Sequence, residues 1–202
     1  MLCGRLSRAD LLSTGARRGA ALLVAGGAFG ALAETASADP LSDNDLSFAR
    51  LLVGGELLSI DFYTRALNAG KYKAVGHKYI RTVLGNEQDH YRSVSGILSG
   101  AGYTPATSDD FEFTYPKGSF ATPVSIARLG RELETLVLGA YLGAVAGVQA
   151  QILLQPLARI GASEAQHLTM WGLELGGHPV SNAFPAPLTI DQASDAMDAY
   201  TA

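Results

Sequence analysis

Two four-residue stretches decide the fold and the site of this chain: residues 87–90 read Glu-Gln-Asp-His, and residues 164–167 read Glu-Ala-Gln-His. Residues i and i+3 of a helix lie on the same face. Glu87 and His90 can therefore point a carboxylate and an imidazole nitrogen at one common centre, and Glu164 and His167 can do the same. The chain has only four histidines, and random placement would give well under one such pair. The two motifs therefore predict two helices with matching polar faces.

A second pair of motifs precedes the first. Glu56 is followed seven residues later by Tyr63, and Glu134 is followed seven residues later by Tyr141. The glutamates of consecutive motifs are 31 residues apart in the first half of the chain and 30 residues apart in the second half. The order Glu-x6-Tyr then Glu-x2-His therefore occurs twice, which indicates an internal repeat of a helical hairpin.

Apolar residues at helical spacing surround each motif and predict four helices, at about 42–68, 71–99, 123–148 and 156–176. Ser42, Asp43 and Asn44 are the candidate N-cap residues of the first helix, and Pro156 is the expected N1 proline of the fourth. Residues 101–122 lack this period and predict a long crossover between helices 2 and 3. A tail from about residue 177 includes a short amphipathic segment at about 190–200. The predicted fold is all-α, a four-helix bundle with one crossover.

Four carboxylates on the inward faces of such a bundle require compensating positive charge. Two divalent cations would supply that charge. Carboxylate and imidazole ligands suit iron, manganese or zinc rather than copper(I). The only cysteine, Cys3, excludes a cysteine-based zinc or iron–sulfur cage. The residues therefore predict a metal site in the bundle core.

The whole pattern resembles that of the ferritin-like superfamily, in which a di-iron bundle takes a Glu from each of two helices and Glu-x-x-His from each of the other two. It is most similar to exported bacterial ferritin-like domain proteins, whose relatives include plant desiccation-related proteins. The resemblance covers residues from about 43 to 190, including the tail NAFPAPLT. It implies a role for each of six residues: terminal ligands of one ion (Glu56, His90), terminal ligands of the other (Glu134, His167) and bridging carboxylates (Glu87, Glu164).

The resemblance also places Tyr63 and Tyr141 near the ligand carboxylates. There they would hydrogen-bond the ligands or donate an electron. Because tyrosines at helical spacing commonly pack in cores, a purely structural role remains the alternative.

Residues 1–38 have the order of an export signal. A region with four arginines precedes the uncharged residues 19–33, and Ala36-Ser37-Ala38 forms a small-x-small cleavage site. The apolar run is shorter than the roughly 20 residues of a membrane-spanning helix. The adjacent Arg17 and Arg18 favour the twin-arginine route, with an ordinary secretory signal as the alternative. We expect cleavage and a periplasmic or extracellular domain at 39–202, with no stable membrane span.

Composition narrows the class of partner. The chain has 202 residues and a net charge of -4. Removal of the four arginines, Asp10 and Glu34 of the leader leaves 11 basic and 17 acidic residues, a net charge of -6. Since phosphate binding requires a basic face, we do not expect nucleic acid as a partner.

The expected function is binding of two metal ions, iron first and manganese or zinc as alternatives, with oxidation of ferrous iron or reduction of dioxygen or peroxide. Two other classes stay open: a non-catalytic metal-binding or stress-associated structural protein, and a metal-free interaction module. Enzymatic turnover and the oligomeric state, for which a homodimer is one candidate, are likewise open.

Overall fold

The computed structural model describes residues 41–178 and 182–202. The predicted export signal at 1–38 lies outside these residues. The described part contains five α-helices and one short 3-10 helix, Ser108–Asp110. The α-helices are α1 (Asp43–Asn68), α2 (Ala74–Gly100), α3 (Pro123–Gly147), α4 (Gln151–Glu174) and α5 (Ile190–Asp198).

Local sequence accounts for the start of α1 and of α3. Of the three N-cap candidates, Ser42 is the one that caps α1, in a capping box with Asp45. Thr122 caps α3 in the same way, and Pro123 occupies its first turn, where no backbone N–H is needed. The ends of α1 and α4 are followed by Gly70 and Gly176, both with positive φ, a conformation that glycine adopts without strain.

The predicted start of the fourth helix is wrong by about five residues. The helix begins at Gln151, and Pro156 lies inside it. Proline there cannot donate to the carbonyl of Ile152, so the helix lacks one hydrogen bond in its second turn. Starting earlier buries Leu153 one turn before the buried Leu157, and this apolar contact with the core favours the longer helix.

The helices pack as two hairpins, α1 with α2 and α3 with α4. The hairpins meet mainly through α1 and α3, and α2 touches α4 more sparingly. No strand occurs among the described residues, whose only β-type pairing is an isolated bridge between Phe113 and Thr201. The predicted all-α bundle with a long crossover at 101–122 is confirmed.

The C-terminal tail returns across α3. The backbone N–H of Leu188 donates to the carbonyl of Gly139 at 2.9 Å, and the Leu188 backbone lies against Gly143 with no room for a side chain. The helix α5 then packs against α1 and α3. Gly139 and Gly143, one turn apart, thus allow the backbone of the tail to contact the backbone of α3 directly.

Among residues 41–178 and 182–202, no helix is both long enough and apolar enough to span a bilayer.

Candidate metal centre

All four bundle helices contribute to one buried polar cluster. Glu56 lies on α1 and Glu134 on α3, while α2 and α4 each supply a Glu-x-x-His pair. The four glutamates are at most 1% exposed. His90 is 8% exposed and His167 is 3% exposed. The structure therefore brings together all six residues that the sequence predicts as metal ligands.

The six side chains form two overlapping groups that share Glu87 and Glu164. Within each group, one ligand atom per residue lies within 4.8 Å of every other. The first group is completed by Glu56 and His90, and the second by Glu134 and His167. We call them the His90 group and the His167 group.

The two groups are related by a near two-fold symmetry. Nδ1 of His90 lies 2.7 Å from Glu164, 3.3 Å from Glu87 and 3.8 Å from Glu56. Nδ1 of His167 lies 2.9 Å from Glu87, 3.3 Å from Glu164 and 3.8 Å from Glu134. Each histidine is thus closest to the glutamate of the opposite hairpin, so the repeat seen in the sequence is also a repeat of the site.

Each glutamate has one buried oxygen without a hydrogen-bond partner among the described residues. The four atoms are Oε2 of Glu56, Oε1 of Glu87, Oε2 of Glu134 and Oε1 of Glu164. Two of them lie within 3 Å of an imidazole Nδ1, but in a direction that does not make a hydrogen bond. Buried polar atoms in proteins normally have hydrogen-bond partners. Four close carboxylate oxygens without such partners are therefore the arrangement expected of ligands that converge on a shared cation.

The two tyrosines hold the outer glutamates. The hydroxyl of Tyr63 donates to Oε1 of Glu134, and that of Tyr141 donates to Oε1 of Glu56. Both bonds cross from one hairpin to the other. Because each tyrosine occupies Oε1, the unpaired Oε2 of each glutamate faces the histidine of its own group. Both tyrosines are fully buried, and burial raises their pKa well above the usual value, so they remain donors.

Two further residues touch the cluster that the sequence did not predict as part of the site. The indole Nε1 of Trp171 donates to the hydroxyl of Tyr63 at 2.9 Å. The side-chain amide of Asn86 lies 3.1 Å from Nε2 of His167. Asn86 directly precedes Glu87, and Trp171 lies one turn after His167. Their positions beside the two Glu-x2-His motifs were the only feature of the sequence that could have indicated that they contact the site.

The electrostatics of the ion-free cluster favour protonated histidines. Burial alone would lower the pKa of His90 and of His167, but the close carboxylates of Glu164 and Glu87 favour the protonated imidazoles and raise both pKa values to about 9. Burial and the charges of Glu164 and Glu87 raise the pKa of Glu56 well above its usual value. The same causes act on Glu134, again with Glu164 before Glu87. Without a cation, therefore, protons provide the positive charge that the carboxylates require.

The donor set fits divalent cations of the first transition row. Hard carboxylate oxygens with one imidazole nitrogen per group suit iron, manganese or zinc. Both groups together offer four carboxylates and two imidazoles, enough charge to balance two such ions. The cluster is therefore chemically suited to bind metal ions, which would replace the protons just described.

The fold and the site define an all-α bundle with a carboxylate–histidine cluster in its core. The family model of the ferritin-like domain matches residues 44–176. The chain belongs to the ferritin-like domain family. None of the curated proteins compared with it matches.

Proposed function

We propose that this protein binds two metal ions, with iron as the physiological metal, and oxidises ferrous iron or reduces dioxygen or peroxide. One observation carries the proposal: four buried carboxylates each keep one oxygen without a hydrogen-bond partner among the described residues, and each of these oxygens faces the Nδ1 of one histidine. In an ion-free core such groups cost several kcal/mol of stability. Metal binding offsets that cost.

In this proposal each residue has one task. Glu56 with His90, and Glu134 with His167, hold one ion each. Glu87 and Glu164 belong to both groups, so each would be available to both ions. Iron bound there would supply a redox-active Lewis acid.

The remaining tasks belong to the protein alone. The tyrosines orient the outer carboxylates through Oε1. The surrounding apolar side chains keep the cluster at most 8% exposed, which limits the entry of water. The chain therefore contributes geometry, charge and a dry environment.

Metal analysis after anaerobic loading with ferrous iron tests the first half of the proposal. The full chain should retain two ions, and Glu87→Gln should retain at most one, because Glu87 belongs to both groups. Asp89→Asn is the matched control, since Asp89 is exposed on the same helix and should leave the stoichiometry unchanged. Fewer than about one ion per wild-type chain would overturn the dinuclear assignment. Two ions in Glu87→Gln would show that Glu87 does not bridge.

Rapid mixing of the ferrous protein with dioxygen or peroxide tests the second half. Oxidation should be faster than that of the same iron in buffer, and the Glu87→Gln variant should lose the advantage. If wild-type protein with two ions reacts no faster than buffer, the redox function is wrong and the protein binds metal without turnover.

We also propose that the domain works outside the cytoplasm. The support is the order of charge, apolar run and small-x-small site in residues 1–38. Fractionation of a bacterial host should recover the processed domain in the periplasm or medium. Replacing Arg17 and Arg18 together by lysine should keep it in the cytoplasm if the twin-arginine route is used. Unchanged export of this variant would point to the ordinary secretory route.

A further inference from the structure

The near two-fold symmetry of the cluster holds for the ligands but not for the residues that hydrogen-bond to them. The distances around His90 and His167 differ by at most 0.2 Å between the two groups. The hydrogen bonds that support these ligands differ in kind and number. The two halves of the site therefore have the same ligands but different hydrogen bonds that hold those ligands in place.

The first difference concerns the outer nitrogens of the histidines. Nε2 of His167 lies 3.1 Å from the amide of Asn86 and 3.4 Å from Oγ of Ser163. Nε2 of His90 has no such contact with any residue of the described segments. Asn86 and Ser163 occupy equivalent positions, directly before Glu87 and Glu164. The shorter Ser163 contacts the histidine of its own helix, whereas Asn86 reaches across to the other hairpin.

The second difference concerns the tyrosines. The hydroxyl of Tyr63 accepts a hydrogen bond from Trp171 while it donates to Glu134. The position equivalent to Trp171 in the first hairpin is Val94, one turn after His90, and its side chain has no donor. The Tyr63 ring also stacks on Trp171 at a centroid distance of 5.9 Å. Glu134 is thus held by Tyr63, which is itself held by Trp171. Among the described residues, Glu56 is held by Tyr141, which has no equivalent hydrogen bond from a tryptophan.

We propose that Asn86 is a positioning residue that makes the His167 group the tighter of two metal positions, so that it fills first and the His90 group fills second. The proposal rests on the proposed dinuclear function. It assigns the order of binding to side chains that are not themselves ligands.

The physical reason is preorganisation. A histidine that binds metal through Nδ1 keeps its hydrogen on Nε2 and donates it to a partner, which fixes the ring and raises the basicity of the ligand. Asn86 can accept this hydrogen through Oδ1, because rotation of the amide exchanges its oxygen and nitrogen. His90, at 8% exposure, must rely on solvent for the same bond. A ligand already held in place loses less freedom when the ion binds.

The test is a titration of the metal-free full chain with Zn²⁺, followed by calorimetry and by tryptophan fluorescence. Trp171 is the only tryptophan of the chain, and its bond to Tyr63 connects it to the His167 group. We expect two binding steps, with the fluorescence change complete after the first equivalent. Asn86→Ala should weaken the first step about 10- to 100-fold and leave the second nearly unchanged.

Two further variants separate positioning from general damage. Asn86→Asp keeps an oxygen acceptor facing Nε2 and should retain the first step at nearly wild-type affinity. Ser93→Ala is the matched control, since Ser93 lies one turn after His90 and its buried hydroxyl bonds to nothing in the described residues. It should leave both steps unchanged.

The outcomes distinguish the two proposals. Two identical, independent sites in the wild type would overturn the order of binding and leave the dinuclear function standing. An unchanged first step in Asn86→Ala, or an equal loss in Ser93→Ala, would overturn the role of Asn86. No zinc binding at all would overturn both the dinuclear function and the inference that rests on it.

Discussion

Metal-free protein should lose stability as the pH rises from about 6.5 to about 9. The carboxylates of Glu164 and Glu87 overcome the effect of burial and raise the pKa of His90 and His167 to about 9 in the folded chain. In the unfolded chain a histidine has a pKa of about 6.5. The folded state therefore binds these protons more tightly. The stabilisation is fully present below pH 6.5 and is lost as the pH rises through 9.

The magnitude follows from the shift. A rise of about 2.5 pKa units corresponds to about 3 kcal/mol for one histidine, at 1.36 kcal/mol per unit. His90 and His167 share Glu87 and Glu164, so their contributions are coupled and do not simply add. We expect a combined loss of about 3 to 6 kcal/mol, a large part of the 5–15 kcal/mol that holds a typical domain together.

The assay is urea unfolding of the full chain with a chelator at a series of pH values from 6 to 9, monitored by circular dichroism. Urea is preferred because guanidinium chloride screens charge. The double variant His90→Gln/His167→Gln should show a shallower fall in this window, because only carboxyl groups such as Glu56 and Glu134, whose pKa values are raised by burial and by the charges of Glu164 and Glu87, still bind protons more tightly in the folded state. Zinc-loaded protein should show the opposite slope, because metal requires deprotonated ligands. A metal-free wild type whose free energy of unfolding stays level or rises between pH 6.5 and 9 would refute the reasoning.

Three substitutions test the packing around the site. Gly143→Ala should lower the free energy of unfolding by about 1–3 kcal/mol and expose the tail to proteolysis, because a Cβ would overlap the backbone carbonyl of Leu188. Gly130→Ala should have a similar cost and change tryptophan fluorescence, since its Cβ would lie 2.5–2.9 Å from the indole of Trp171. Asp45→Ala should cost about 2 kcal/mol in urea unfolding, because this buried carboxylate accepts hydrogen bonds from the backbone and hydroxyl of Ser42 and from the backbone N–H of Gln149.

A common control exists for the two glycine variants. Gly96 lies on α2 with open space where a Cβ would stand, so Gly96→Ala should stabilise the protein by up to about 1 kcal/mol through helix propensity alone. Equal stabilisation of Gly143→Ala would contradict the close crossing of the tail over α3.

Periodicity explains why so much of the architecture could be predicted. The spacing of three residues between Glu87 and His90 fixes a shared helix face whatever the helix packs against. Residues on inward faces of a bundle must meet, and the structure brings the six predicted side chains together. The start of α4 was predicted wrongly because Pro156 is typical of a first turn when only its neighbours in sequence are considered. The helix starts earlier because Leu153 is buried against residues that are distant in sequence.

The partners of side chains were harder to predict. Trp171 could be expected to be buried, but its bond to Tyr63 depends on the distance between α1 and α4. The contact of Asn86 with His167 likewise spans two hairpins. The periodicity of one helix predicts which of its faces is buried. It does not predict which residues of another helix contact that face. These cross-hairpin contacts required the three-dimensional arrangement.

The division of the cluster between two hairpins bears on how the chain folds. Contacts within each hairpin are local in sequence, so the hairpins can form early and at low entropic cost. The cluster exists only once the hairpins dock, because each histidine has its nearest carboxylate on the opposite hairpin. Docking then brings four acids into a closing core. We expect cations to accelerate this docking step, because they neutralise the four acids. Metal binding would then take place while the two hairpins dock.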